Sequence, residues 1–225
     1  MTKLRNRVLM LLAVGMLTVV ISGCKCPFSG AAADKGMLFN GKNLDGWKLF
    51  IPDEKVDVNT VWSVKDGVVY CTGKPNGYMR TEKQYSNYRL HLEWRWPGAP
   101  TNSGVLLHAQ MPDNVWPKCV EAQLQAGNAG DFIIMGHTAL TVKGEDYQDD
   151  EKFFLKAPKW MASTEKKPGE WNSYDIICKD DTIQVRVNGA LQNVGTKASI
   201  TKGYICLQSE GGPIEFRNIK IKDLD

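Results

Sequence analysis

Polar side chains alternate with apolar ones in two predicted strands, and these are the residues that could do chemistry. One strand carries Glu121 and Gln123, and the closing strand carries Gln208 and Glu210. Because neighbours in a strand point to opposite faces, each pair should lie on the sheet face opposite the apolar core. A carboxylate can move a proton and an amide can bind hydroxyl groups. The two strands therefore predict a surface that binds or processes a polar molecule.

A histidine lies on a third predicted strand. His108 belongs to the segment 104–109, where strand alternation predicts that it shares a face with Leu106 and lies opposite Leu107. There its imidazole could donate a hydrogen bond or protonate a departing oxygen. A surface histidine without a chemical role is the alternative interpretation.

Arg217 and Trp116 are further candidates for binding a ligand. The planar guanidinium of Arg217 suits paired hydroxyl groups, although it could instead form a structural ion pair with Glu215 or Glu93. Trp116 lies in a loop bounded by prolines, where an indole could stack on a sugar ring or pack over the loop. The residue types allow both roles in each case.

The loop after the Glu121 strand contains two more groups that could bind a metal. Asp131 and His137 could join Glu121 as ligands of a divalent cation, which would stabilise negative charge on a substrate oxygen. Their spacing follows no fixed ligand motif, so the sequence admits a metal cofactor without requiring one. A turn capped by the side chains of Asn128 and Asp131 is the simpler interpretation.

The chain consists of short apolar segments separated by glycine, proline, asparagine and aspartate, and this pattern is typical of an all-β sandwich or barrel. Asp66-Gly67 and Asn188-Gly189 supply the positive φ angles that tight hairpin turns need. No segment has a helical period over three turns, and residues 126–170 indicate a long irregular stretch. The predicted strands are 61–65, 68–71, 88–96, 104–109, 119–125, 172–178, 182–187 and the closing segment 203–224, which continues on both sides of a Gly-Gly-Pro turn.

The first residues predict a secretory signal rather than part of the fold. Three cations precede an apolar run over 8–21, which is shorter than the ~20 residues of a membrane-spanning helix. The ending Ile-Ser-Gly-Cys resembles the lipobox of bacterial lipoproteins, which implies a signal peptide over 1–23 and a lipid on Cys24. By resemblance to lipoprotein sorting in Gram-negative bacteria, Lys25 implies the outer membrane, with the protein facing the periplasm or the cell surface. A soluble secreted protein is the alternative.

Removal of residues 1–23 would change the class of partner that the charge predicts. That segment carries three cations and no acid, so the formal net charge of +3 falls to zero in the mature chain. Nucleic-acid binding would require clustered Lys and Arg, so a neutral or weakly charged small molecule is the expected partner. We expect a flexible tether over 24–35 and one domain over 36–225.

Four local patterns span residues 36–225. They are Leu38-Phe-Asn-Gly-Lys-Asn-Leu-Asp-Gly-Trp47, Asn102-Ser-Gly-Val105, Gly169-Glu-Trp-Asn172, and Gly203-Tyr-Ile-Cys-Leu-Gln208 with Phe216-Arg-Asn-Ile219. In this order and spacing they resemble the 3-keto-disaccharide hydrolase family. The resemblance implies a jelly-roll sandwich of two antiparallel sheets, like the concanavalin-type lectins and glucanases, with a site on a concave sheet.

The same resemblance implies action on glycosides whose sugar is oxidised at C3. A ketone at C3 acidifies the C2 hydrogen, so a base can remove it and the resulting enediolate can expel the C1 substituent, with water added afterwards. For this route we expect Glu121 to be the base and His108 a second catalytic residue. The residues expected to contact the substrate are Gln123, Gln208, Glu210, Arg217, Asn102 and Trp116.

Two other functions remain open at this point. A non-catalytic carbohydrate-binding module could use the same scaffold, because such a fold carries lectins as readily as enzymes. Ordinary glycoside hydrolysis would require two carboxylates that flank one bond, and Glu121 with Glu210 is the pair that the sequence offers.

Overall fold

Sixteen short strands and one 3-10 turn make up the part of the chain that the computed structural model describes, residues 36–224. No α-helix occurs in that part, and therefore no helix there is long and apolar enough to cross a membrane. The predicted signal peptide, Cys24 and the tether lie outside the described residues. The elements are β1 (Trp47–Phe50), the 3-10 turn (Val58–Thr60), β2 (Trp62–Lys65), β3 (Val68–Cys71), β4 (Gly77–Thr81), β5 (Tyr88–Arg95), β6 (Gly104–Ala109), β7 (Cys119–Gln123), β8 (Phe132–Met135), β9 (Leu140–Val142), β10 (Glu145–Tyr147), β11 (Phe154–Ala157), β12 (Asn172–Lys179), β13 (Thr182–Val187), β14 (Ala190–Thr196), β15 (Tyr204–Ser209) and β16 (Ile214–Asp223).

The strands form two antiparallel sheets. A seven-stranded sheet has the order β1-β4-β15-β6-β7-β8-β11, and a nine-stranded sheet has the order β10-β9-β14-β13-β12-β5-β16-β3-β2. Many neighbours in each sheet are distant in sequence, as in β15 between β4 and β6. The predicted two-sheet antiparallel sandwich is confirmed.

The core between the sheets follows from the alternation of residues in the strands. In β5, Tyr88, Leu90, Leu92 and Trp94 are fully buried while the residues between them are partly exposed. Each large apolar side chain that is buried in this way contributes roughly 1.5–3 kcal/mol to folding. The hairpin turns that were predicted at Asp66-Gly67 and Asn188-Gly189 are also present, with positive φ at all four residues.

The closing segment 203–224 does not form a single strand in one sheet. β15 lies inside the seven-stranded sheet and β16 lies inside the nine-stranded sheet, so the Gly-Gly-Pro turn carries the chain from one sheet to the other. The turn is tight because Gly211 has a φ of 84° and because Gly212 packs directly against Gly73. Consequently, side chains before and after the turn belong to different surfaces.

Residues 126–170 are also more regular than expected. They contain β8, β9, β10 and β11, each only three or four residues long. β8 is a continuous apolar run without alternation, and strands this short give little periodic signal. β8 and β11 extend the seven-stranded sheet and so add surface beside Glu121.

Candidate functional site

The outer face of the seven-stranded sheet, which points away from the nine-stranded sheet, carries the predicted polar residues. In β7, Val120 and Ala122 lie in the core, so Glu121 between them points to the outer face. In β15, Leu207 lies in the core and Gln208 is on the outer face by the same rule. The predicted orientation of both strands agrees with the structure.

Glu121 is held against a glycine of the neighbouring strand. It pairs with Leu106 in the register of β6 and β7, yet its side chain leans over Gly104, two residues away. A Cβ on residue 104 would overlap Glu121 Oε1 and would lie 2.6 Å from its Cδ. Gly104 therefore leaves the space that the carboxyl group occupies. In the sheet, Gly104 pairs with Gln123 and lies beside Gln208.

The electrostatic setting of Glu121 favours a proton on its carboxyl group. The residue is 3% exposed, and no cation lies within ion-pair distance of it in the described part of the chain. Burial raises the pKa of Glu121 well above its ordinary range, and the charge of Glu210 raises it further. The pKa of Glu210 is raised by burial too, but a hydrogen bond with Asn102 opposes that shift. The charge of Glu210 thus acts on the ionisation of Glu121.

Several buried polar atoms around Glu121 have no hydrogen-bond partner among residues 36–224. They are Glu121 Oε1, both amide atoms of Gln208, Asn102 Oδ1 and Thr101 Oγ1. Buried polar groups are normally paired, because leaving one unpaired costs about 1–3 kcal/mol. Such a cluster next to a carboxyl of raised pKa is what a site for a polar ligand requires.

Substitution of Gly104 provides a direct test of how this site is built. Gly104→Ala should lower activity about 100-fold, because the new methyl group displaces Glu121, while the free energy of unfolding changes by less than about 2 kcal/mol. Gly98→Ala is the matched control, since nothing lies within 4 Å of a Cβ at that position. Equal activity of the two variants, measured as kcat/KM beside urea unfolding curves, would contradict the assignment.

His108 does not lie where alternation predicted. Tyr204 pairs with Ala109 and Cys206 with Leu106, so a bulge places two residues of β6 opposite Ile205. His108 has a φ of 55° and turns toward the core, where its ring packs edge-on against Tyr88 at 5.6 Å. The expectation that it shares a face with Leu106 was wrong. Burial lowers the pKa of His108 and so favours the neutral ring. The contact with Tyr88 places the ring on the core side of the sheet, opposite the face that carries Glu121.

The proposed metal ligands are not brought together. Asp131 forms ion pairs with Lys156 Nζ at 2.9 Å and with Lys159 Nζ at 3.6 Å. His137 lies beyond the end of β8, with Nδ1 3.3 Å from Asp149 O. Within residues 36–224, no three His, Cys, Asp or Glu side chains are placed to hold a metal ion together.

Gln123 and Arg217 are engaged in structural contacts. The Gln123 Oε1 atom accepts hydrogen bonds from the backbone N–H groups of Leu124 and Gln125, at 2.9 and 2.8 Å, where β7 ends. Arg217 belongs to the nine-stranded sheet, where its Nε donates to Glu93 Oε2 at 2.6 Å and its guanidinium stacks on Trp171. Arg217 is therefore not assembled with Glu121, and the ion pair with Glu93 is the alternative that the structure contains.

A strap across the outer face was not foreseen from the sequence. Asp113, in the loop between β6 and β7, accepts hydrogen bonds from Tyr78 Oη at 2.8 Å and from Arg80 Nε at 2.7 Å. Tyr78 pairs with Gln208 in the register of β4 and β15, so this contact fixes the loop beside the unpartnered amide. No sequence signal indicates this contact, because Asp113 and Arg80 are 33 positions apart and the burial of Arg80 is a property of the fold.

The same loop brings Trp116 to the sheet. Trp116 packs against an apolar cluster on the outer face that contains Met135, Cys119 and Leu106. Beside it is a cleft of about 290 Å³ that is lined partly by Met111, Trp116 and Phe153 and does not include Glu121. The carboxyl site and the cleft are thus separate features of one sheet face.

Comparison with known protein families gives one match, which spans most of the chain. Residues 34–222 match the model of the 3-keto-alpha-glucoside-1,2-lyase-like domain. A search of curated proteins found no similar sequence.

Solved structures with the same architecture include two candidate glycosyl hydrolases from Parabacteroides distasonis, both 27% identical to this chain. Their TM-scores are 0.61 and 0.62; they cover 84% and 85% of this chain and 93% and 100% of their own. The β-glucanase of Bacillus licheniformis is 11% identical with a TM-score of 0.56, covering 87% of this chain and all of its own. A carbohydrate-binding module, CBM66 of Bacillus subtilis, is 8% identical with a TM-score of 0.55, covering 79% of this chain and 96% of its own. The last two share the fold alone, and they support the concanavalin-like jelly roll.

Proposed function

The chain belongs to the 3-keto-alpha-glucoside-1,2-lyase-like family, and from this premise we propose that it cleaves glycosides oxidised at C3, with Glu121 as the base. A carbohydrate-active function is supported by the family and by the candidate glycosyl hydrolases of the same fold. The observation that carries the proposal is a buried carboxyl of raised pKa surrounded by unpartnered polar atoms.

Elimination requires two proton movements that one carboxyl group can perform. In its ionised form Glu121 removes the C2 proton, and the electron pair forms the enediolate with the C3 carbonyl. Collapse of the enediolate forms the C1–C2 double bond and breaks the bond between C1 and the leaving oxygen. The same carboxyl, now protonated, returns its proton to that oxygen, and water adds to the double bond afterwards. Burial and the Glu210 charge make Glu121 a stronger base than an exposed glutamate.

The developing enediolate needs hydrogen-bond donors that are already in place. Gln208 carries an amide group whose nitrogen has no partner in the described part of the chain, and it lies beside Gly104, over which the Glu121 carboxyl group is held. We assign this amide to the C3 oxygen, because a fixed donor in a water-poor site stabilises charge most as it develops. Asn102 and Glu210, which are hydrogen-bonded to each other, then contact the sugar hydroxyls.

Conventional glycoside hydrolysis is the second candidate function. It is favoured by one specific observation, the Glu210 charge that raises the pKa of Glu121, because such enzymes use a pair of carboxyl groups that differ in ionisation. It requires no ketone in the substrate, and this difference separates the two functions.

A paired substrate assay tests the proposal. We expect the protein to cleave a C3-oxidised disaccharide and to leave the same disaccharide without the ketone intact, because only the ketone acidifies C2. Product release is followed by chromatography, and deuterium at C2 should slow it. Equal cleavage of both sugars would establish conventional hydrolysis instead, and binding of either sugar without turnover would establish a carbohydrate-binding module.

A further inference from the structure

The regular pairing between β6 and β15 is interrupted beside the candidate site. Continuous pairing ends at Val105 with Leu207, and an isolated bridge between Asn102 and Glu210 follows three residues further along each strand. In a regular antiparallel pair, the ladder of backbone hydrogen bonds fixes the distance between the strands. In this interval, contacts outside the regular ladder contribute to holding β6 and β15 in place.

The proposed base and the proposed hydrogen-bond donor both depend on this interval. Gly104 lies within it and leaves the space that the Glu121 carboxyl group occupies. Gln208 lies within it on the other strand, and its amide nitrogen has no partner among residues 36–224. Catalysis is sensitive to such spacing, because a misplacement of about 1 Å can lower a rate about 100-fold. A side chain that fixes the interval would therefore affect the reaction without touching the substrate.

Ser103 joins the two strands across the interval. Its hydroxyl group donates a hydrogen bond to the Gln208 carbonyl oxygen at 2.8 Å, and its own carbonyl oxygen accepts one from the Leu124 backbone N–H at 2.9 Å. Leu124 directly follows β7, the strand that carries Glu121. Ser103 is fully buried, so bulk water does not compete for its hydrogen bond. The residue that precedes Gly104 thus connects β15 to the end of β7.

We propose that Ser103 is a positioning residue, which holds the Gln208 amide at the distance from the Glu121 carboxyl group that the reaction requires. This inference rests on the proposed function, since it gives both groups the roles assigned above. Ser103 acts through the backbone of Gln208. Without the hydroxyl group, the carbonyl oxygen of residue 208 loses this partner, and β15 is free to shift relative to Gly104. The amide is then displaced from the C3 oxygen on which the enediolate charge develops.

A double-mutant cycle on turnover of a C3-oxidised disaccharide tests the proposal. Ser103→Ala should lower kcat about tenfold and leave KM within about twofold, because a displaced donor matters most when charge develops. In the Gln208→Met background the same substitution should change kcat by less than about twofold, because the amide that Ser103 positions is already absent. Equal losses in both backgrounds, or no loss in the first, would overturn the proposal.

Ser209→Ala is the matched control. Ser209 is also fully buried, and its hydroxyl group donates to the Pro75 carbonyl oxygen at 2.9 Å. It adjoins Gln208, yet its hydrogen bond leads to the segment before β4, on the side of β15 away from β6. Both variants lose one hydrogen bond of the same kind, so their urea unfolding midpoints should fall to a similar extent. The kcat of Ser209→Ala should stay within about twofold of the wild type. A loss of kcat as large as that of Ser103→Ala would show a general structural effect and count against the positioning role.

An NMR measurement separates failure of this inference from failure of the proposed function. The side-chain amide resonances of Gln208 are assigned by their absence from the spectrum of ¹⁵N-labelled Gln208→Met. Ser103→Ala should shift these resonances, and Ser209→Ala should shift them less. If no C3-oxidised glycoside is cleaved but the shifts differ in this way, Ser103 positions the amide and the proposed reaction is wrong. Unchanged or equal shifts refute the positioning role, whether or not the protein is active.

Discussion

Glu121→Gln should lower turnover of a C3-oxidised disaccharide by about 10³-fold and leave its equilibrium binding within about threefold. The amide has almost the same shape as the carboxyl and keeps contact with Gly104, but it cannot accept a proton from C2. The measurement is kcat under single-turnover conditions, beside calorimetric binding of the substrate. Residual activity above one tenth of the wild type would show that another group is the base.

Glu93→Gln is the matched control for this variant. Glu93 lies in the nine-stranded sheet, where it binds Arg217 and Asn218, and has no place in the proposed reaction. Loss of the Glu93 charge removes a partly exposed ion pair, so the substitution should cost at most about 1 kcal/mol of stability and leave turnover unchanged.

The pH dependence of stability gives an independent readout for Glu121. Its pKa is raised on folding, so above the ordinary glutamate value of about 4.3 the folded state binds more protons than the unfolded state. The stability from this carboxyl is complete below that pH and is lost as the pH rises through the raised pKa. Glu121→Gln does not lose stability in this way. The free energy of unfolding of the variant minus that of the wild type, measured in urea, should therefore increase from pH 5 to pH 8.

The local pattern of β7 was enough to place Glu121, because apolar residues on both sides leave one orientation. Alternation failed at His108, since the bulge depends on how Leu107 and His108 pair with Ile205, which is almost a hundred residues away. A single strand does not carry that information. The positive φ of a histidine is tolerated there because the ring gains a buried contact with Tyr88.

Sheet membership is a second property that local pattern does not determine. Gln208 and Arg217 are nine residues apart, and both alternate with apolar neighbours. One faces the candidate site and the other stacks on Trp171 across the molecule, because the Gly211-Gly212 turn connects two sheets. The strap from Asp113 to Arg80 is equally invisible, since the two residues are 33 positions apart. Only the tertiary pairing of strands reveals which polar residues converge.

Gln208→Met should make the protein more stable and nearly inactive. Both amide atoms of Gln208 are buried and find no partner within the residues that the structure describes, and each unpaired buried polar group costs about 1–3 kcal/mol. Methionine has a similar length and fills the space without polar atoms, so the free energy of unfolding should rise by about 1–2 kcal/mol. Turnover should fall about 100-fold, because the donor assigned to the C3 oxygen is lost.

A buried amide outside the site separates this effect from a general benefit of apolar substitution. Asn193 is fully buried in the nine-stranded sheet, where its Nδ2 donates to Ala157 O at 3.3 Å and its Oδ1 accepts from the Val194 N–H at 3.1 Å. Asn193→Leu removes hydrogen bonds that the fold uses, so it should lose about 1 kcal/mol of stability and keep its activity. If Gln208→Met were instead destabilised to a similar extent, the Gln208 amide would be serving the fold rather than a substrate. The changes in the free energy of unfolding of the two variants are expected to have opposite signs, because a binding site keeps polar groups unpaired at the expense of stability.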